Sequence, residues 1–345
     1  MKNVQKVIRG FAVLGIAVLC AWSLHAASNN VRVLQTNSAG DNIHIIDPAT
    51  NKIVGEIKGI EVSHGVTASP DGSRIWVSDE SLNTVDVVDA KTLKVTQRIP
   101  LSGNPNNITI TPDGKKVYVA IIQTPGAVDV IDTASLKKIK TIPTKGGIHN
   151  LYATPDGKFV AAGSPHGKRL NVIDTRTDEI AWDVDLGLEV RPMTFATNPD
   201  GSTKWIFVQS KFNGFVVVDF ATHKEVRRIN NPDLPAGMKT VSAGANESHG
   251  IAVTADGKTL VVNSRLNNFL YSYSLPDLKL LGSAYLGATG AKGAAWLTLT
   301  PDSKTAYVAM AVTNNVAVVD IKTMKEVICI PVGFVPKRNA TAMLP

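Results

Sequence analysis

The amino-acid sequence predicts an all-β fold, a seven-bladed β-propeller with four antiparallel strands in each blade. Three observations predict it: a short turn recurs along the chain, four strand-like segments lie between successive turns, and the two ends complete each other. A single sheet of four short strands cannot bury both of its faces, so several copies must pack around a common axis.

The recurring turn has the form Pro-Asp-Gly, or differs from it by one residue. Successive copies are separated by 42, 43, 44, 56 and 46 residues, which is the spacing of propeller blades. The segments VTAS, RIWVSD, TVDVVD and KVTQRI of the first complete unit are β-branched or alternating, so each unit contributes four strands. The six turns are Pro70-Asp71-Gly72, Pro112-Asp113-Gly114, Pro155-Asp156-Gly157, Pro199-Asp200-Gly201, Ala255-Asp256-Gly257 and Pro301-Asp302-Ser303.

A second repeated element places an aspartate three positions before a threonine or serine, at the end of the third strand of a unit. An aspartate at this place can accept hydrogen bonds from backbone amides of the next turn. Because the element recurs, we predict that these carboxylates form turns and take no part in acid–base chemistry. They are Asp47, Asp89, Asp132, Asp174, Asp219 and Asp320.

The two ends of the chain set the number of blades. The N-terminal VRVLQTNSAGDNIHIIDPATNKIVGEI contains the last three strands of a unit and lacks the first. Residues 339–345 match residues 64–70 position for position, so they supply a first strand without the other three. The ends therefore share one blade and, with the six complete units, make seven. Such closure removes free sheet edges.

The strand motifs PDGKKVYVA, SPDGSRIWVSD and TPDSKTAYVAM resemble those of the YVTN-type β-propeller repeat family. The resemblance covers nearly all of the chain after the first 26 residues, and it implies the propeller fold. Members of this broad group include binding proteins, lactonase-like enzymes and metal or haem enzymes. The resemblance therefore predicts the fold and leaves the function open.

The first 26 residues have the pattern of a secretory signal, with Lys2, Lys6 and Arg9 ahead of an apolar run and small residues at the end. We expect a periplasmic or secreted protein in which residues 27–345 form one propeller domain. The apolar run is too short for a stable membrane span, although an uncleaved anchor is the alternative. Cys329 is the only cysteine after residue 26, so no intramolecular disulfide is expected.

The charge of the chain argues against nucleic acid as a partner. The formal net charge of +7 falls to +4 when the three basic residues of the leader are removed. Long basic runs are absent from the sequence. We expect a monomer.

Equivalent positions in the seven innermost strands should form a ring around the axial channel. Three histidines occupy this ring on alternate blades, where converging imidazoles could hold a single transition metal, zinc, copper or iron. The alternative is a channel without metal, in which the histidines bond water, backbone or a ligand. The ring positions, counted back from each turn, are Asn339, His64, Asn106, His149, Met193, His249 and Ala295.

Basic residues predominate in the loops at the same mouth of the channel, so we expect an anionic ligand there. The candidate ligand-binding residues are Arg191, Lys211, Arg265, Lys292, Arg338, Asn106 and Asn339. Glu61 and Glu247 precede His64 and His249 closely, and they are candidates for a general base or for orienting the histidines. Residues 230–248 form an insertion that could cover the mouth.

The sequence thus predicts a binding protein whose axial pocket takes a small anionic molecule or a protein segment. One alternative is a metal-dependent lyase, lactonase or oxidoreductase that uses His64, His149 and His249. The other is a structural or cell-surface interaction module. The sequence does not decide whether the protein is an enzyme.

Overall fold

The computed structural model describes residues 30–241 and 249–345. The predicted secretory signal lies outside these residues. Within them the chain forms seven sheets of four antiparallel strands, which confirms the predicted fold class and blade number. No helix in the described part of the chain is long and apolar enough to cross a membrane.

The strands follow one another from the channel outward in every blade except the first. Blade 1 contains β1 (Val31–Asn37), β2 (Asn42–Asp47), β3 (Lys52–Lys58) and the last strand, β28 (Pro336–Met343). Blade 2 contains β4 (Ser63–Ala68), β5 (Arg74–Asp79), β6 (Thr84–Asp89) and β7 (Lys94–Pro100), and blade 3 contains β8 (Pro105–Ile110), β9 (Lys116–Ile121), β10 (Ala127–Asp132) and β11 (Lys137–Pro143). Blade 4 contains β12 (Asn150–Ala153), β13 (Phe159–Ser164), β14 (Arg169–Asp174) and β15 (Glu179–Asp185), and blade 5 contains β16 (Met193–Thr197), β17 (Thr203–Gln209), β18 (Gly214–Asp219) and β19 (Lys224–Asn230). Blade 6 contains β20 (Ile251–Val253), β21 (Thr259–Ser264), β22 (Phe269–Ser274) and β23 (Leu280–Tyr285), and blade 7 contains β24 (Ala294–Leu299), β25 (Thr305–Met310), β26 (Asn315–Asp320) and β27 (Lys325–Pro331).

Strand β28 closes the ring by pairing with β1. The pairing is antiparallel and brings Val31 opposite Met343 and Gln35 opposite Asn339. The sheet order β28-β1-β2-β3 confirms that the two ends of the chain share one blade. The inner strand of blade 1 is therefore supplied by the last part of the chain.

The core consists of apolar layers between neighbouring blades. The middle strands are buried on both faces, and aromatic side chains such as Trp76, Tyr118 and Phe207 are closed to solvent. The outermost strands are largely exposed and carry charged side chains, as in β19 and β7. This arrangement leaves the inner strands, which face the channel, free to carry polar side chains.

The repeated aspartates make turns, as predicted. In each case a carboxylate oxygen accepts hydrogen bonds from a backbone amide two or three residues later, and in five of the six also from the threonine or serine hydroxyl. The geometry agrees with a scaffolding role for these six carboxylates.

Candidate functional site

Bulges at the starts of four inner strands direct side chains into the channel. Each bulge skips two residues of the inner strand in the pairing with its neighbour, and a bulge of this kind re-aims a side chain. The skipped pairs are His64 and Gly65 in β4, Asn106 and Asn107 in β8, Ala295 and Trp296 in β24, and Lys337 and Arg338 in β28, where the shift lies between Gln35 and Asn37 of the partner strand. Four residues of the candidate site, His64, Asn106, Trp296 and Arg338, lie in these bulges.

The glycine after each of two channel histidines permits close approach of the next blade. A Cβ atom on Gly65 would lie 2.8 Å from the carbonyl oxygen of Asn106 and 2.9 Å from the amide nitrogen of Ile108. A Cβ atom on Gly250 would lie 2.6 Å from the carbonyl oxygen of Ala295. The His-Gly pairs therefore have a packing requirement that is independent of any ligand.

The structure brings His64, His149 and His249 together around Trp296. The ring centroids of His64 and His149 are 6.1 Å apart, as are those of His149 and His249. The Trp296 ring lies 5.7 Å from His64 and 4.2 Å from His249. Burial, reinforced by the nearby Arg338 guanidinium, holds the pKa of all three imidazoles well below the usual 6.5, so they are neutral at pH 7.

Glu80 fixes the tautomer of His64. The His64 Nδ1 atom contacts the Glu80 carboxylate through a short hydrogen bond, and the same carboxylate oxygen accepts from Asn106 Nδ2 at 3.4 Å. Burial raises the pKa of Glu80, while Lys337 and Arg338 oppose the rise. With the carboxylate ionised, Nδ1 carries the proton and Nε2 keeps its lone pair. The Nε2 atom is buried and has no hydrogen-bond partner among the described residues.

Asn150 gives His149 the opposite tautomer. The Arg338 guanidinium has only donors, so the Asn150 side-chain oxygen must face its Nη1 and Nη2 atoms, both at 3.0 Å. The Asn150 amide nitrogen then donates to His149 Nδ1 at 2.6 Å. The proton of the neutral His149 ring therefore resides on Nε2. His64 offers a lone pair at Nε2, whereas His149 offers a donor.

This difference bears on the predicted three-histidine metal centre. A metal ligand must present a lone pair, and the His149 lone pair at Nδ1 already accepts from Asn150. Residues 30–241 and 249–345 contain no group of three or more histidine, cysteine or acidic side chains arranged to hold a metal ion. The three-histidine centre stays a prediction, and in this arrangement it would require Asn150 to turn against Arg338.

Arg338 is a buried cation with neutral hydrogen-bond partners. It is 4% exposed, and its Nη2 atom donates to Asn106 Oδ1 at 3.0 Å and to the carbonyl oxygen of His149 at 3.3 Å. Its guanidinium lies 4.9 Å from the Trp296 ring centre, and its Nε atom has no partner among the described residues. Through Asn106 and Asn150, one guanidinium orients the groups that set both histidine tautomers.

The other predicted basic residues differ in burial and in their partners. Arg191 and Lys211 share the Glu189 carboxylate, with nitrogen to oxygen distances of 2.6 and 2.7 Å, and Lys292 is exposed. Arg265 is partly buried, and its Nε atom has no partner within the described residues. Burial and the charge of Arg191 lower the pKa of Arg265. Of these four residues, Arg265 is the one with a buried donor that has no partner within the described residues.

The structure changes the assignment of the acidic candidates. Glu61 is exposed and accepts a hydrogen bond from Ser81 Oγ at 3.0 Å, so it does not orient His64. Glu80 takes that place, because it follows β5 directly and faces the bulge that holds His64. In the sequence, the position of Glu80 in the loop after the second strand of its blade indicates that it lies at the mouth of the channel. Glu247 lies outside the described residues.

Counting back from the turns identifies the channel residues His64, Asn106, His149 and His249 correctly. In blades 1 and 7 it is wrong by one residue. It predicts Ala295 and Asn339, whereas Trp296 and Arg338 are the residues that contact the histidine rings. The bulge in β24 begins at the counted residue, as in β4 and β8, but its second residue, Trp296, makes the contact. The bulge in β28 holds Lys337 and Arg338 and so ends before the counted Asn339. Asn339 instead donates through Nδ2 to the carbonyl oxygen of Tyr307 at 3.0 Å. Asn150 and Tyr152, which contact Arg338, were not among the predicted site residues.

Comparisons with known proteins give a partial family match and two similar folds. Residues 20–163, less than half of the chain, match the family model described as the cytochrome D1 heme domain. No curated protein matches the chain. Kuenenia stuttgartiensis hydrazine synthase is 21% identical with a TM-score of 0.71, and the alignment covers 85% of this chain and 93% of that one.

A second structure, the dihydro-heme d1 dehydrogenase NirN in complex with DHE, is 16% identical with a TM-score of 0.60, over 91% of this chain and 75% of that one. At these identities the two structures establish the fold alone. No comparison tests the YVTN-type assignment, which stays a prediction. The chain is therefore a seven-bladed β-propeller in which the region of His64, Glu80 and His149 is similar to the cytochrome D1 heme domain.

Proposed function

We propose that this chain binds a tetrapyrrole of the haem class at the histidine-bearing part of its channel. The observation that carries the proposal is the Nε2 atom of His64, a neutral imidazole nitrogen that is buried and has no partner among the described residues. The match of residues 20–163 to the cytochrome D1 heme domain supports this class of ligand, because it includes His64, Glu80 and His149.

The donor set suits a haem-class group. An imidazole can hold haem iron only through a nitrogen with a free lone pair, and the Glu80 contact leaves Nε2 of His64 in this state. Tetrapyrroles of this class carry carboxylate groups, and Arg265, Arg191 and Lys337 lie in the surroundings that these carboxylates would meet. Because His64 Nε2 is closed to solvent, binding requires that a side chain of the cluster moves.

The residues of the chain would each have a separate task. His64 would hold the iron, and Glu80 would keep the proton on Nδ1 and increase the basicity of the ligand. His149 would present the N–H of Nε2 as a hydrogen-bond donor, because Asn150 occupies its other nitrogen. Trp296, which is 6% exposed, would exclude water from the cluster. When bound, the group would supply an iron centre that can change oxidation state and exchange ligands.

This proposal makes the protein a binding protein for an anionic ligand, and no reaction is proposed. We also propose that it acts in the periplasm, on the pattern of its first 26 residues. The three-histidine metal enzyme remains the second candidate, because the three imidazoles do converge. The two candidates differ in what they require of His149, which makes them separable by experiment.

The test is a titration of the purified full chain with haemin, followed by the Soret band, in the wild type and single variants. We expect stoichiometric binding that His64→Ala abolishes and that His149→Gln weakens by about tenfold or less. His223→Ala is the matched control, since His223 stacks on Trp182 at 4.2 Å, away from the channel. The Glu80→Gln variant should bind haemin with a Soret band at a changed position, because the ligand becomes less basic.

Two results would contradict the proposal. One is a folded wild-type protein that neither binds haemin nor carries a haem-class chromophore when purified from the periplasm. The other is equal binding by the wild type and His64→Ala. Zinc, copper or iron bound in a one-to-one ratio, and lost equally in His64→Ala and His149→Gln, would favour the three-histidine metal centre instead.

A further inference from the structure

A chamber lies beside the histidine cluster, farther along the channel toward the Pro-Asp-Gly turns. Its volume is about 290 Å³, and it is lined by residues that follow the histidine ring on the inner strands, among them Thr67, Thr109, Tyr152 and Thr298. His64, His149 and His249 do not line it. Trp296 and Arg338 line the chamber and also contact the histidines, so they separate it from the haem-class site.

The chamber has a positive charge without a counter-ion in contact. Arg338 hydrogen-bonds to Asn106, Tyr152, Asn150 and the carbonyl oxygen of His149, all of which are neutral. A buried cation without a paired anion is costly, since the protein interior does not replace its hydration. Burial lowers the pKa of Arg338, which reflects the same cost. Glu80 offsets part of this cost through space, and an anion in the chamber would offset more of it.

Three side chains that line the chamber have buried polar atoms without partners among the described residues. Arg338 Nε and Trp296 Nε1 are donors, and Asn339 Oδ1 is an acceptor. Buried polar atoms in proteins are nearly always paired, so this group indicates a ligand with both acceptors and a donor. The volume is at the lower end for ligand pockets, so the chamber admits a small organic molecule.

We propose that this chamber binds a small oxyanion that also carries a hydroxyl group, of the α-hydroxy carboxylate class, with Arg338 as its counter-ion. The carboxylate would accept hydrogen bonds from Arg338 and Trp296, and the hydroxyl would donate to Asn339. Because the three unpartnered atoms are buried behind the chamber wall, these side chains must rotate when the ligand binds. The threonine hydroxyls that line the wall provide further polar surface. This inference does not depend on haem binding, because it uses a different part of the channel.

The test is isothermal titration calorimetry of the full chain, without added haemin, using glycolate and acetate as probes. We expect glycolate to bind more tightly than acetate by about tenfold, because acetate leaves Asn339 Oδ1 unpaired. Arg338→Gln should weaken glycolate by about tenfold or more, since it removes the only charge that contacts the carboxylate. Arg74→Gln is the control, a partly buried arginine that donates to the carbonyl oxygen of Thr133.

Asn339→Leu provides a second test that leaves the buried charge in place. It should reduce glycolate binding to the level of acetate while leaving acetate unchanged. The inference is overturned if the folded wild type binds neither probe, if Arg338→Gln binds glycolate as well as the wild type does, or if inorganic phosphate alone binds. His64→Ala should keep glycolate binding and Asn339→Leu should keep haemin binding, because Asn339 does not contact the histidine cluster. The failure of one proposal is thus distinguishable from that of the other.

Discussion

The hairpin turns between third and fourth strands and the starts of the inner strands are built on opposite principles. At the turns, the same Asp-x-x-Thr or Asp-x-x-Ser element recurs, and its carboxylate is bonded locally. At the inner-strand starts, equivalent positions hold different residues, and several buried polar atoms lack partners among the described residues. In this propeller, repetition marks the scaffold, and departures from it mark the candidate binding surfaces.

The largest effect on stability is expected from Gly65→Ala, which disturbs the packing of an inner strand against the next blade. The added Cβ would meet two backbone atoms of the next blade below 3.0 Å, and backbone cannot move aside as a side chain can. We expect a loss of about 2–4 kcal/mol in the free energy of unfolding, measured by urea denaturation.

Gly55→Ala is the matched control on the outer strand β3. Its Cβ would meet only side-chain carbons, Leu93 Cδ1 at 3.1 Å and two atoms of Ile45 at 3.3 and 3.6 Å, and these can shift. We expect less than about 1 kcal/mol. Equal losses in the two variants would show that the approach of the inner strands is not the tight contact described above.

An intermediate effect is expected from pH, because the two regions titrate in different ranges. The folded pKa values of His64, His149 and His249 lie well below 6.5, so the unfolded chain takes up protons that the folded chain does not. Stability should therefore fall as the pH decreases below about 6.5. Hydrogen bonds from Thr92, Ser135 and Thr323 lower the pKa of the turn aspartates, so their contribution is lost only below about pH 4.

The measurement is the free energy of unfolding between pH 8 and pH 3 in the wild type and in His249→Gln. The variant should show a shallower decrease between about pH 6.5 and 5, and an unchanged decrease below about pH 4. An identical pH dependence in both proteins would mean that His249 is not held neutral by burial.

The smallest effect is expected from Asp320→Asn, which changes one of the repeated turns. The asparagine oxygen still accepts from the amide and hydroxyl of Thr323, and only the charge is lost. The midpoint of urea unfolding at pH 7 should shift less than in either glycine variant. A larger shift than that of Gly65→Ala would reverse the division between scaffold and binding surface.

The sequence predicts the blades well because each turn is determined by a few neighbouring residues. The spacing of Pro70, Pro112 and Pro155 identifies the period, and the match of residues 339–345 with residues 64–70 identifies the shared blade. These features are local or repeated, so no knowledge of distant contacts is needed. The convergence of the three histidines follows from the same periodicity.

The rest of the site depends on contacts that periodicity does not encode. Trp296 follows the predicted Ala295 within the bulge of β24, and Arg338 precedes the predicted Asn339 because β28 bulges earlier than the count allows. The tautomers of His64 and His149 depend on Glu80 and Asn150, whose orientation is set by a guanidinium from another blade. Such coupling between blades appears only once the ring is folded.

The closure of the ring by β28 makes the position of Arg338 depend on the completion of folding. Arg338 lies on β28, the last strand of the chain, and it reaches Asn106 and Tyr152 of blades 3 and 4. A chain whose final strand has not yet paired with β1 lacks Arg338 at this place in the channel. The ligand proposed for the chamber would therefore bind only to a molecule whose ring is closed, because its counter-ion lies on the last strand.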